Sequence, residues 1–170
     1  MSNQKFWHIC CIRPRSEKKV LKIIEGLNYE VFLPMKKQIR IYKNVKKKVF
    51  LPFFPGYIFV NILPGFRHHI TAIPEVYRFL KFNDDYAKIS QDEIKNLILI
   101  NSCPDYHNNI VIKSFFEKGK DAEVIKGPLI GLKGKMIKNK GNNRIVVEID
   151  AIKQGITINI DLKDLAPIDK

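Results

Sequence analysis

The apolar positions of the chain fall into two regimes, and the change between them comes near residue 100. In the first regime strand-like runs are interrupted by helical spacing. Lys5 to Ile12 predicts a first strand. Pro14 and Ser16 then open a helix in which Val20, Ile24 and Leu27 recur at i, i+4 and i+7, with Gly26 placed to stop it. Residues 31–42 read as extended, Ile39 and Ile41 alternating against Gln38, Arg40 and Tyr42, and Asn44 suggests a turn into Val45 to Leu51. In Gly56 to Ile62, Tyr57 and Phe59 point one way while Ile58, Val60 and Ile62 point the other, so both faces are expected to be covered. Residues 67–73 predict a short helix and Val76 to Phe82 a further strand. Ser90-Gln-Asp-Glu93 is a capping box leading into Ile94, Leu97 and Ile98 at helical spacing.

The order β, α, β, β, β, α, β, α predicts an α+β domain with a mostly antiparallel sheet over residues 1–100. Residues 101–115 include Pro104, Asp105, Asn108 and Asn109 without a sustained pattern, and are read as a linker. From Phe116 onward the pattern becomes one of short strands: Ala122 to Lys126, Gly134 to Asn139, Ile145 to Ile149 and Ile156 to Ile160. Glycine-bearing turns separate them. This spacing predicts a small all-β barrel over residues 116–170.

Composition supports one or two small folded domains: 170 residues, 45% apolar, with 9 Gly and 9 Pro. Residues 49–66 form an uncharged run close to the length of a membrane span, but Pro52, Pro55 and Pro64 with Gly56 and Gly65 would break a helix there. The run is expected to be a buried strand with its turns. The N-terminus, with Arg13, Arg15, Lys18 and Lys19 close behind Trp7, lacks the apolar stretch of a signal peptide. Cys10, Cys11 and Cys103 are odd in number and two are adjacent, which excludes a disulfide framework and points to a reducing, cytoplasmic setting. No Cys-x-x-Cys pair occurs, and His8, His68, His69 and His107 lack metal-ligand spacing, so no metal or other cofactor is expected. No Ser/His/Asp or Cys/His set has a local catalytic signature, so no enzyme activity is expected either.

Charge adds most to this picture. The net charge is +13, and residues 1–50 alone carry 13 Lys/Arg against three Glu. Lys36, Lys37, Arg40, Lys43, Lys46, Lys47 and Lys48 place seven cations and no acid on the expected hairpin. Cations at strand spacing can neutralise phosphates, with salt-sensitive affinity. Lysines also protect exposed sheet edges from pairing, and composition leaves the two readings level. Phe53-Phe54-Pro55-Gly56-Tyr57-Ile58-Phe59-Val60 is an aromatic cluster around a turn, which on its own terms is ordinary core. The stretch Gly127-Pro128-Leu-Ile-Gly131-Leu-Lys-Gly134 is not a phosphate-binding P-loop, because Leu132 stands where the second glycine is required.

Taken together, Trp7, Arg13-Pro14-Arg15-Ser16-Glu17-Lys18-Lys19, Phe32-Leu33-Pro34, Phe54-Pro55-Gly56-Tyr57-Ile58-Phe59-Val60 and Val76-Tyr-Arg-Phe79-Leu80 resemble, in order and spacing, the NusG-like transcription elongation factors. The segment from Gly127 to Gly134 looks like that family's KOW motif, and the resemblance is strongest to its specialised antiterminator paralogues. It implies a ferredoxin-like NGN domain joined to an SH3-like KOW barrel, acting as a monomer without a membrane. It further implies docking on the clamp helices of RNA polymerase by Trp7, Phe54, Pro55 and Tyr57, beside DNA at the upstream edge of the transcription bubble. The lysine hairpin would approach that DNA. His68, His69 and Thr71 lie where some paralogues touch the opposite pincer of polymerase. The implied outcome is suppression of pausing and termination at particular operons.

The sequence also departs from the family. Housekeeping members carry Phe-Gly-Arg in the barrel loop that touches a ribosomal protein or a termination factor; here Ala151-Ile152-Lys153-Gln154-Gly155 stands there, with Ile152 in place of the aromatic. That favours the specialised class, with another factor bound through the barrel. The rival expectations are a general elongation and termination factor of the same family, and a ribosomal or RNA-binding KOW protein without polymerase contact.

Overall fold

A computed structural model describes residues 4–113, 119–139 and 142–168. The chain divides into two compact units, Met1–Met35 with Leu51–Gln91, and Lys36–Phe50 with Asp92–Lys170.

The first unit is built on strand β1 (Phe6–Ile12) and helix α1 (Glu17–Gly26). Strand β2 (Glu30–Phe32) follows, and the second unit's β3 (Met35–Tyr42) and β4 (Val45–Pro52) intervene before β5 (Tyr57–Ile62). The unit continues with helix α2 (Arg67–Thr71), β6 (Val76–Phe79), β7 (Lys81–Phe82), β8 (Asp85–Tyr86) and β9 (Lys88–Ile89). Its sheet runs β2-β5-β1-β6, with β9 also on β1, and these strands pair antiparallel throughout. The predicted alternation of Gly56 to Ile62 holds: Ile58, Val60 and Ile62 join Cys10, Ile12, Val20, Ile24, Ile70 and Phe79 in one buried cluster. Trp7, Ile9, Phe59, Phe53 and Phe54 are buried as well, with the rings of Phe54 and Phe59 meeting edge to face at 6.2 Å. A strand buried on both sides is apolar at nearly every position, which is why β5 reads as a continuous run.

Several expected elements come out divided. Residues 31–42 are two strands, because Pro34 separates β2, which pairs with β5, from β3, which pairs with β4. The strand expected from Val76 to Phe82 is likewise split, into β6 and the two-residue β7. Gly26 is the last residue of α1, but the left-handed step is taken by Asn28, at φ 60°, and Leu27 lies beyond the helix and is exposed. Ser16 sits at the N-cap without a side-chain capping bond.

The second unit holds the β3–β4 hairpin, helix α3 (Gln91–Asn101), whose first residue still belongs to the first unit, and the C-terminal strands. In α3 the buried residues are Ile94, Leu97 and Ile100, while Ile98, expected on the apolar face, is exposed. Within residues 101–115, read from the sequence as a linker, Pro104–Asn109 form a 3-10 turn and β10 (Val111–Lys113) pairs with a barrel strand. A three-residue strand is too short for alternation to register. The remaining strands are β11 (Lys120–Val124), β12 (Lys133–Asn139), β13 (Asn142–Ile149), β14 (Gln154–Asn159) and β15 (Leu165–Pro167). They form a six-stranded antiparallel sheet in the order β10-β14-β13-β12-β11-β15. Phe116, the expected start of the barrel, lies outside the described residues. Among the described residues no helix is long and apolar enough to cross a membrane.

One glycine of the 127–134 segment has a clear packing role. A Cβ on Gly134 would sit 2.4 Å from the carbonyl oxygen of Val146 on the neighbouring strand, and backbone cannot yield as a flexible side chain can. Gly134→Ala is therefore expected to lower stability by about 1–3 kcal/mol, the usual cost of overpacking, read as a fall in the denaturant midpoint. An unchanged midpoint would show that β12 and β13 separate more easily than their pairing implies.

Candidate functional site

The turn that carries Phe54, Pro55 and Tyr57 is held from three sides. The N–H of Tyr57 donates to Phe54 O at 3.2 Å, closing a four-residue turn with Pro55 and Gly56 at its centre. Gly56 takes φ +82°, which proline followed by glycine satisfies without strain. The carbonyl of Gly56 accepts from Ile12 N–H at 2.8 Å, and its own N–H donates to Glu17 Oε1 at 3.0 Å. Glu17, in the first turn of α1, is buried at this bond. The end of β1, the start of α1 and the turn before β5 are thereby locked together.

The four docking residues that the resemblance implies are not equally accessible in this geometry. Phe54 is 1% exposed and Trp7 5%, so both are packed; Pro55 is exposed and Tyr57 half-buried. Trp7 lies on β1, opposite Asn61 of β5, on the sheet face it shares with Ile9 and Phe59. What reaches solvent at the turn is Pro55 with the edge of Tyr57, set on a closed aromatic base.

The basic hairpin is as expected in outline. Lys43 and Asn44, at φ 45° and 64°, form a two-residue turn of the kind that matches the twist of paired strands. Arg40, Lys43, Lys46, Lys47 and Lys48 are exposed, and Lys36 and Lys37 are partly so. The hairpin also exposes Ile39, Ile41, Tyr42, Val45 and Phe50. Its base is fixed by His107, which the sequence did not single out. The Lys37 N–H donates to His107 Nδ1 at 2.9 Å, and His107 Nε2–H donates to Ile100 O at 3.0 Å.

His68, His69 and Thr71 are exposed on α2. They are nevertheless engaged locally. His68 Nδ1–H donates to Gly65 O, Thr71 Oγ1 donates to His68 O, and His69 shares a hydrogen bond with the Tyr29 hydroxyl. Ile152 stands where the resemblance places the family's aromatic. It sits in the 3-10 turn Asp150–Ile152 and is buried, so the loop offers Lys153 to solvent instead.

Sequence reasoning missed a cluster around Tyr86. The Arg67 guanidinium lies over the Tyr86 ring, 3.8 Å from its centroid, and Lys81 Nζ lies 4.4 Å from the same centroid. His8 stands edge-on to Tyr86 and is fully buried. Its Nδ1–H donates to Ala87 O at 3.0 Å, and Nε2 has no hydrogen-bond partner among the described residues. Burial lowers the His8 pKa from its ordinary value; the bond to Ala87 opposes this, and the charges of Arg67 and Lys88 add to the lowering. Apart from the pairing of Lys81 with Tyr86 across the β7–β8 hairpin, no local motif announces these contacts, because they join α2 to residues about twenty positions later.

A solved structure described as "Domain interaction in Thermotoga maritima NusG" superimposes with a TM-score of 0.51 at 18% identity, covering 98% of both chains, and shares the two-part architecture of a sheet with helices and a β-rich region. A family model described as "Transcription termination factor nusG" matches residues 5–98, more than half of the chain, and the chain belongs to this family of transcription factors. Among the relatives, the "Transcription termination/antitermination protein NusG" of Buchnera aphidicola subsp. Baizongia pistaciae is 28% identical over 144 residues, covering 84% of this chain and 74% of that protein. The proteins of the same name from Helicobacter pylori strain J99 and Escherichia coli K12 are 28% and 25% identical, over 72% and 82% of this chain and 74% and 72% of their own.

The state of His8 sets a pH dependence. With the folded pKa below the unfolded value near 6.5, the unfolded chain binds more protons between the two, so stability falls as the pH drops through about 6.5 towards the folded value. The slope contributed there is at most about 1.4 kcal/mol per pH unit. Chemical denaturation between pH 7.5 and 5 is expected to show this loss, and His8→Gln to flatten it. An equally steep profile in the variant would assign the loss to other groups.

Proposed function

We propose that the chain is a non-enzymatic factor that rides on RNA polymerase during elongation, docking on the clamp helices beside upstream DNA and suppressing pausing and termination at particular operons. The observation that carries this reading is the locked turn, in which the Gly56 N–H bonded to Glu17 presents Pro55 and Tyr57 on a buried Phe54 base. A small, rigid apolar edge suits a partner's helical surface, because little motion is lost on binding. The relatives' shared name, termination/antitermination protein, supports action in the same process. His68, His69 and Thr71 form the second contact, to the opposite pincer. The basic hairpin lies along DNA, and the C-terminal sheet serves another factor or a ribosomal protein.

A general termination and elongation role is the second reading, favoured by the broad name those relatives carry. The operon-specific reading is supported by the barrel loop, where Ile152 is buried and Phe-Gly-Arg is missing. Profiling transcription after removal of the protein separates them: readthrough changes confined to a few operons favour the specialised role, and a genome-wide change the general one.

Tyr57→Ala is expected to lose polymerase co-purification, since a central aromatic anchor commonly contributes about 2 kcal/mol or more, while the protein stays folded. Phe54→Ala is expected instead to destabilise the fold by about 3–5 kcal/mol. Tyr57→Ala binding at wild-type strength would remove the turn from docking.

For the hairpin, replacing Lys46, Lys47 and Lys48 with Gln is expected to lower the slope of log affinity against log salt on a bubble template by roughly one unit for each phosphate no longer neutralised. An unchanged slope would assign these lysines to edge protection.

A further inference from the structure

The β3–β4 hairpin is a sheet of two strands, with no third strand on either side. Such a pair is marginal in water, because each strand keeps one row of backbone groups without a strand partner. The turn decides which groups those are on β3. With Lys43 and Asn44 as its two residues, Tyr42 and Val45 exchange the bonds that close it, and the pairing alternates from there. The N–H and C=O groups of Lys37, Ile39 and Ile41 therefore point away from β4. The Lys37 amide bears this out, since it donates outward to His107 Nδ1.

Beside this outer edge runs a cleft of about 250 Å³, lined by Lys36, Lys37, Gln38, Ile39, His107 and Ile110. No carboxylate stands on its wall, and His107 and Ile110 are buried at its floor. Further along the edge Ile39 and Ile41 are 51% and 67% exposed. Alternation puts these two on one face of β3, and Lys36, Gln38 and Arg40 on the other. Across the whole hairpin seven cations meet no acid in the sequence, and among the described residues no salt bridge neutralises them.

An occupant of this edge must supply backbone donors and acceptors, apolar groups and negative charge together. A second copy of the hairpin supplies the first two, but it would set seven cations against seven. Duplex nucleic acid supplies only the charge, because phosphates cannot complete a strand edge or cover Ile39 and Ile41. An extended acidic peptide supplies all three. The alternation of β3 also sets its composition, with acids across from Lys36 and Arg40 and apolar residues across from Ile39 and Ile41.

We propose that the outer edge of β3 binds an extended segment of a partner protein, in which acidic and apolar residues alternate, as a third strand. One end of the segment lies in the cleft, with an apolar side chain on Ile110. This goes beyond the proposed DNA contact, which uses the lysine side chains of β4, and its test needs neither polymerase nor DNA contact to be right.

The probe is a fluorescent ten-residue peptide of alternating Glu and Val, titrated against the full chain by anisotropy, with exchange of the Ile39 and Ile41 amides followed by NMR. At saturation both amides are expected to exchange about tenfold more slowly. Two further peptides are N-methylated at alternate residues, one on each set of amides. A strand added at an edge uses only one of its two sets, so one peptide is expected to lose binding and the other to keep it. Ile39→Ala with Ile41→Ala, both exposed side chains, is expected to weaken binding about tenfold. Equal binding of a peptide with the same residues but its Glu in one block, or the same result with both methylated sets, overturns strand addition. Protection of these amides that grows with the concentration of the protein alone gives the edge to a second copy. Equal protection by a ten-base-pair duplex gives it to nucleic acid, and either result overturns the acidic segment as occupant.

Discussion

The bond from the Gly56 amide to the buried carboxylate of Glu17 is the constraint on which the first unit depends. A buried carboxylate with an unmet oxygen is expensive, so the start of α1 can occupy only the place where that amide is offered. Ile12 N–H donating to Gly56 O fixes the same peptide from the other side. With β1, α1 and the turn joined at one point, the register of β5 follows, and with it the assignment of Ile58, Val60 and Ile62 to one face and Phe59 to the other. The exposed edge of Tyr57 is thus the visible end of an internal arrangement.

How much of this was legible in the sequence varies by length scale. Strands β1 and β5 and helices α1 and α3 were readable because apolar spacing is a local record of burial. Their limits were less so: Pro34 cuts one extended run in two, and Asn28 rather than Gly26 supplies the left-handed residue. The hairpin turn was legible through Asn44. The resemblance to NusG-like factors located the Phe54–Tyr57 turn, yet could not tell which of its residues reach solvent, since an apolar side chain such as Phe54 suits a docking edge and a core alike.

What the sequence hid entirely depends on pairing. Cys11 pairs with Arg78 but Ile12 with Val76, and the Tyr77 bulge this leaves is a mismatch between two strands with no signature in either one. Arg67 meets Tyr86 only because α2 and the β7–β8 hairpin come together in the folded unit. Val76-Tyr-Arg-Phe79 reads as an ordinary strand, whereas its burial runs buried, exposed, exposed, buried. The chemistry of this face was visible as residue types scattered along the chain, and it became an arrangement only with the sheet register.

The His107 imidazole ties the β3–β4 hairpin to helix α3. One ring nitrogen holds the Lys37 amide at the hairpin's base, and the other holds the Ile100 carbonyl in the last turn of α3. The two bonds give the hairpin and the end of α3 a shared support in a single side chain, so loss of the imidazole would leave the Lys37 amide and the Ile100 carbonyl to find new partners together.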